Sequence, residues 1–112
     1  LREPDGLLAF GGDLSPQRLL NAYRNGIFPW YSEGDPLLWW SPSQRAVLRT
    51  DGVRRPPRLR RRLRNLPWQV RADTRFANVV SACASAPRRG QSGTWITGTM
   101  QEAYLRLHQL GH

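Results

Sequence analysis

From Gly6 to about Trp40 the chain alternates residues that fix the backbone with residues that present a flat face. The run reads Gly-Leu-Leu-Ala-Phe-Gly-Gly-Asp-Leu-Ser-Pro from Gly6, Asn-Gly-Ile-Phe-Pro-Trp-Tyr from Asn25, and Asp-Pro-Leu-Leu-Trp-Trp-Ser-Pro from Asp35. Proline locks φ and glycine opens the left-handed region, so the conformation of this stretch is set locally. Trp30, Trp39 and Trp40 are costly residues if they only fill volume, and the segment reads as a surface built to hold something flat. Adjacent Trp39 and Trp40 must point to opposite faces of any strand they share, which assigns at least one of them to the core.

The remaining elements follow from capping and periodicity. Ser15-Pro16 starts a helix, with the serine accepting an early backbone N–H and the proline losing no bond at the first helical position. Leu19, Leu20, Tyr23 and Ile27 recur at helical spacing and Gly26 stops the helix, which is predicted over about 16–25. Phe28-Pro29-Trp30 is extended, since a residue before proline avoids helical backbone. Short strands are predicted at 37–40, at 45–49 and at 68–71. Pro56-Pro57 opens a basic helix with Leu59, Leu63 and Leu66 on one face. Asp73 is expected to cap a helix running to about Ser85, with Phe76, Val79, Val80 and Cys83 inward. A polar loop is expected over 87–93, followed by a short extended Trp95-Ile96. Thr97 or Thr99 then caps a last helix, Thr99 having capping-box spacing to Glu102, with Met100, Ala103, Tyr104 and Leu107 inward and Gly111 as its stop.

Strands alternating with helices imply an α/β (α+β) fold, and 112 residues suffice for one small domain or parts of two. With no further strands after the last helix, the chain is expected to be cut short.

The net charge is +9, and every basic residue is arginine. Ten arginines lie between Arg49 and Arg75, against Asp51 and Asp73 alone. Such a stripe suits a polyanion, either nucleic acid or an anionic membrane surface, although a solvated helix face has the same composition. No run is long and apolar enough to span a bilayer. Cys83, the only cysteine, excludes an internal disulfide; in the run Val79-Val80-Ser81-Ala82-Cys83-Ala84 it reads as a buried, inert thiol, consistent with a reducing cytoplasmic setting. With His108 and His112 as the only histidines, no metal site is expected. His108 itself reads as a surface residue favoured by the helix dipole.

The residues offer little catalysis. The eight carboxylates are scattered, and Gly11-Gly12-Asp13 lacks the spacing and the Lys-Ser/Thr of a phosphate loop. It reads instead as a turn with positive φ whose aspartate bonds the local backbone. Binding is better supported. Trp30 and Trp95 lie in loops positioned by neighbouring elements and could stack a nucleobase, or could simply cap the core.

Pro4-Asp5-Gly6-Leu7-Leu8-Ala9-Phe10-Gly11-Gly12-Asp13-Leu14, Tyr23-Arg24-Asn25-Gly26-Ile27-Phe28-Pro29-Trp30 and Leu38-Trp39-Trp40-Ser41-Pro42 resemble blocks of the leucyl/phenylalanyl-tRNA–protein transferase family. Gly93-Thr94-Trp95-Ile96-Thr97 and Glu102-Ala103-Tyr104-Leu105-Arg106-Leu107-His108 are similar to its later blocks, in order and spacing. The resemblance covers the whole chain and is weakest from Arg49 to Asn65.

It implies a small N-terminal α/β domain over 1–43, followed by the start of an acetyltransferase-like (GNAT) domain over 44–112. It also implies a cytoplasmic, cofactor-free enzyme, monomeric at full length. Such an enzyme moves leucine or phenylalanine, and methionine less well, from aminoacyl-tRNA to proteins beginning with Arg or Lys, and so marks them for N-degron degradation. By the same resemblance Trp30 and Trp95 line the pocket for the aminoacylated 3′ adenosine, and Tyr23 is a weaker match for that neighbourhood. Arg54, Arg55, Arg58, Arg60, Arg61, Arg62 and Arg64 would meet the tRNA backbone. The family's catalytic groups are expected in blocks beyond His112, so the 112 residues alone are expected to be inactive. The competing reading is a basic nucleic-acid-binding module without catalysis; membrane attachment is weaker, because the Leu59/Leu63/Leu66 face is narrow and lacks an aromatic anchor.

Overall fold

A computed structural model describes residues 4–90 and 93–112. The fold is mixed α/β, in the order β1 (Leu7–Phe10), α1 (Pro16–Arg24), β2 (Phe28–Pro29), β3 (Leu38–Trp40), α2 (Pro57–Asn65), α3 (Phe76–Ser85) and α4 (Gly98–Gln109). The chain divides into two compact units, one formed by Leu1–Ser43 with Arg75–His112 and the other by Gln44–Thr74.

In the first unit β3 is the central strand of an antiparallel sheet ordered β1-β3-β2. Trp40 lies opposite Leu7 on one side and Phe28 on the other. Pro29, which has no N–H to give a ladder, sits on an edge strand and is fully buried. Trp39 points into the core, as the alternation of a strand requires of one member of the pair, and its Nε1 donates to the Gly11 carbonyl at 3.0 Å. There it packs with Leu19 and Ala22 of α1 and with Ala103 and Leu107 of α4.

Both long-range helices of this core end the same way. Gly26 and Gly111 take φ of +69° and +87°. Beside them Ile27 N–H donates to the Ala22 carbonyl at 2.9 Å, and His112 N–H to the Leu107 carbonyl at 3.1 Å, which closes a Schellman cap at each helix end. At the start of α4 it is Thr97 that caps, its Oγ1 accepting from the Met100 N–H at 3.3 Å, so the Thr99–Glu102 spacing is not used as a capping box.

The start of α1 differs from expectation. The Ser15 side chain makes no cap bond. Asp13 instead accepts the Ser15 N–H at 2.9 Å and pairs with Arg18 at 3.3 Å. Hydrogen bonds from the Ser15 hydroxyl and N–H, then from Arg18, hold the Asp13 carboxyl down at about 2. The folded value lies below the unfolded one near 3.9, so its contribution is present above that pH and is lost as pH falls through about 2. Asp13→Asn is expected to flatten that part of the acid unfolding profile, measured as thermal midpoint between pH 5 and pH 2. Because the carboxylate is exposed, the effect should be small.

Gly6, in the turn before β1, has no room for a side chain. At φ +86° its missing Cβ would fall 2.7 Å from Pro42 Cα, while its carbonyl accepts the Ser41 N–H at 2.7 Å. Neither neighbour is a flexible side-chain end, so Gly6→Ala must displace backbone. It is expected to cost about 2–3 kcal/mol in urea unfolding, combining left-handed strain with the clash.

Four other expectations are corrected. Residues 45–49 and 68–71 are not strands: Val47, Leu48, Trp68 and Val70 are exposed, Val70 to 99%. A strand needs a neighbouring strand for its ladder, and the sheet of the described residues is built from β1, β3 and β2 without either segment. Asp73 does not cap α3; it takes φ +56°, and Arg75 occupies the cap position without a side-chain bond. Val79 and Cys83 are exposed, so Cys83 is not the buried thiol its apolar neighbours implied. His108 is half-buried and stacks on Phe76, with ring centroids 4.4 Å apart and planes 4° apart, which joins α4 to α3. Of the polar loop expected over 87–93, residues 91–92 lie outside the described residues.

The second unit is α2 with irregular backbone on either side. Every side chain from Gln44 to Thr74 is exposed except that of Leu66, which is half-exposed. Pro57 sits at the first helical position of α2, where its missing N–H costs nothing.

Candidate nucleic-acid interface

Trp30 lies just beyond β2, and both of its backbone polar groups are fixed. Its N–H donates to the Leu38 carbonyl at 3.0 Å, and its carbonyl accepts Trp40 Nε1 at 2.7 Å. The Trp30 and Trp40 rings lie tilted at 57°, with centroids 6.0 Å apart. Trp40 therefore serves as a backing for Trp30, while Trp30 itself stays 54% exposed. The result is an indole on a fixed backbone, backed by Trp40 and largely exposed, the arrangement a stacking platform requires.

Trp95 is presented from the segment that leads into α4. Gly93, at φ +89°, precedes it, and the Thr94 hydroxyl accepts the Ile96 N–H at 3.1 Å. The Ile96 carbonyl accepts Gln101 Nε2 at 3.4 Å. Trp95 thus sits in a turn locked to the first residues of α4, and is 38% exposed.

The two segments meet through hydroxyls. Tyr31, next to Trp30, reaches Thr99 Oγ1 at 3.0 Å and Thr97 Oγ1 at 3.3 Å. Sequence reasoning assigned no role to Tyr31; the only signal was its place beside Trp30. Tyr23 of α1 is exposed on one side, and its hydroxyl bonds the Tyr104 hydroxyl of α4. Tyr104, read from sequence only as an inward helix position, is raised well above the ordinary tyrosine range by its burial and then by the bond to Tyr23. It holds its proton at any physiological pH.

The carboxylates of this unit serve local structure where they bond at all. Asp5 accepts from the Ser43 hydroxyl at 3.1 Å, and Asp35 from the Ser32 N–H at 3.4 Å. Among the described residues no group of three His, Cys, Asp or Glu side chains is arranged to hold a metal ion.

In the second unit Arg58, Arg60, Arg61, Arg62 and Arg64 lie on α2, and Arg54 and Arg55 lie in the backbone before it; all are exposed. Arg60 Nε is spent on the Arg55 carbonyl at 3.0 Å. None of the seven has a carboxylate partner among the described residues, whereas Arg49 is paired with Asp51 at 2.9 Å. Unpaired guanidinium groups in water are available for bidentate bonds to phosphate.

Comparison with known proteins gives two family matches in tandem. The model for the leucyl/phenylalanyl-tRNA protein transferase N-terminal domain matches residues 12–43, and that for leucyl/phenylalanyl-tRNA protein transferase matches residues 47–112. Among curated proteins, the leucyl/phenylalanyl-tRNA–protein transferases of Xanthomonas euvesicatoria and Xanthomonas oryzae are 68% and 67% identical over all 112 residues. That of Xylella fastidiosa is 68% identical over 109 residues, or 97% of the chain. In each case the chain spans 45% of the relative's length.

Proposed function

Because the chain belongs to the leucyl/phenylalanyl-tRNA–protein transferase family, we propose that it carries the tRNA-recognising part of an aminoacyl transfer enzyme. Trp30 and Trp95 hold the 3′-terminal adenosine of aminoacyl-tRNA, Tyr23 borders that site, and the arginines at 54, 55, 58, 60, 61, 62 and 64 meet the tRNA backbone. The observation that carries this reading is the exposed ring of Trp30, set on a backbone fixed by two hydrogen bonds and backed by Trp40. The donors are leucyl- and phenylalanyl-tRNA, with methionyl-tRNA used less well. The acceptors are proteins beginning with Arg or Lys, and the product enters cytoplasmic N-degron degradation. The protein acts as a monomer and needs no cofactor.

The reaction joins an amine to an ester. The acceptor's α-amine attacks the carbonyl carbon that links the amino acid to the ribose, a peptide bond forms, and the C–O bond to ribose breaks. One proton leaves the amine and one reaches the departing ribose oxygen. The ester is already activated, so holding the adenosine against the acceptor supplies much of the acceleration. The proton transfers belong to the part of the relatives that this chain does not span, which fits the partnered or exposed state of the carboxylates described above. One family model ends at 43 and the next starts at 47, which supports a boundary near 43–44; that the portion from 44 onward is acetyltransferase-like (GNAT) is part of the same proposal.

The test is transfer of labelled leucine from charged tRNA to an Arg-initiated peptide by the protein at its relatives' full length. Transfer is expected, and is expected to be absent from residues 1–112 alone. A folded full-length protein that transfers nothing overturns the proposal.

A further inference from the structure

We propose that Tyr31 is a positioning residue that fixes Trp30 by fastening its loop to the N-terminus of α4; the inference rests on Trp30 and Trp95 forming the adenosine site. Three hydroxyls meet at this point. Tyr31 Oη lies 3.0 Å from Thr99 Oγ1 and 3.3 Å from Thr97 Oγ1, and the two threonine oxygens are 3.0 Å apart. Thr97 Oγ1 also accepts the Met100 N–H at 3.3 Å. One lone pair of Thr97 is therefore committed to the helix, and its proton is directed to one of the other two hydroxyls.

This places Tyr31 on a cap that already has a structural duty. The backbone of Trp30 is tied to β3 on one side, through Leu38 and the Trp40 indole. Tyr31 ties the next residue to α4 on the other. Thr97 lies two residues after Trp95, with Ile96 between them held by Thr94 and Gln101. The same hydroxyl cluster thus ends the Trp95 turn and anchors the Trp30 loop. A phenylalanine would fill the half-buried space of the Tyr31 ring but could not make the anchor. Tyr31 acts through Trp30 and needs no contact with the ligand.

The experiment compares the protein at its relatives' full length with its Tyr31→Phe, Thr99→Val and Thr99→Ser variants and the double variant Tyr31→Phe/Thr99→Val. Nitrogen-15 relaxation of the tryptophan indole N–H groups reports order at Trp30 without any ligand. Adenosine carrying phenylalanine through a 3′ amide, which cannot be cleaved as the ester is, serves as the binding probe. Tyr31→Phe is expected to lower the order of the Trp30 indole and weaken the probe about three- to tenfold, the size of one lost hydrogen bond. Thr99→Val should show part of this loss, Thr99→Ser should restore it, and the double variant should be no worse than Tyr31→Phe. A Trp30 indole equally ordered in Tyr31→Phe and wild type overturns the proposal, and so does equal probe affinity. If the wild-type protein does not bind the probe, the adenosine reading fails, and the relaxation comparison still decides whether Tyr31 anchors Trp30.

Discussion

Trp30→Ala is expected to reduce recognition of an aminoacylated tRNA 3′ end by roughly ten- to a hundredfold while leaving affinity for bulk RNA nearly unchanged. The size follows from base–aromatic stacking, about 1–3 kcal/mol per base on removal of the ring. The separation of the two effects follows from the structure. The bonds that fix Trp30 run through its N–H and carbonyl, to Leu38 and to the Trp40 indole, and both survive truncation of the side chain. The side chain is more than half exposed, so the core of Leu19, Ala22, Trp39, Ala103 and Leu107 does not depend on it. What is lost is the stacking face and its tilted contact with Trp40. Competition between charged and uncharged tRNA, with thermal unfolding alongside, reads the result. Equal losses for charged tRNA and for an unrelated RNA would place Trp30 outside any 3′-end site, and would favour a general nucleic-acid-binding module.

Much of the first unit was legible because its signals are local. Ser15-Pro16, Gly26 and Gly111 mark helix ends through φ restrictions that no tertiary contact needs to supply, and α1 and α4 lie within a residue or two of expectation. The Trp39-Trp40 pair was legible for the same reason, since strand alternation sends one inward wherever the strand lies. Residues 45–49 and 68–71 were misread because alternation states only which faces a strand would have. It does not state whether a neighbour exists to receive the backbone hydrogen bonds. Cys83 failed on similar grounds: apolar neighbours in sequence say nothing about which side of α3 meets α4. In the candidate site, Trp30 and Trp95 could be chosen from their loop settings. The link between their segments through Tyr31, Thr97 and Thr99 spans 66 and 68 positions and leaves no local trace.

Replacing Arg58, Arg61, Arg62 and Arg64 together with alanine is expected to weaken tRNA binding by on the order of 10²–10³ near 0.1 M salt, and to flatten the salt dependence by about three units of log–log slope. Each guanidinium that meets a phosphate releases condensed counterions, which contributes most of a unit to that slope. These four groups have no carboxylate partner among the described residues and stand in water, so the free protein has no ion pair to break before binding. The variant should fold at least as well as the wild type. Arg58, Arg61 and Arg62 are neighbours at helical spacing, as are Arg61 and Arg64, and removing like charges that face each other relieves a repulsion. Alanine is also the better helix former. A large loss of affinity therefore cannot be attributed to a melted α2, and circular dichroism at 222 nm checks this directly. The membrane alternative separates in the same experiment. If α2 were an anionic-surface anchor, its Leu59/Leu63/Leu66 face would hold the wild-type chain on phosphatidylserine vesicles at physiological salt, where polar contacts alone are screened. The chain is expected to stay in the supernatant. An unchanged salt slope for tRNA after the fourfold replacement would remove α2 from the interface, leaving the exposed arginines as a solvated helix face.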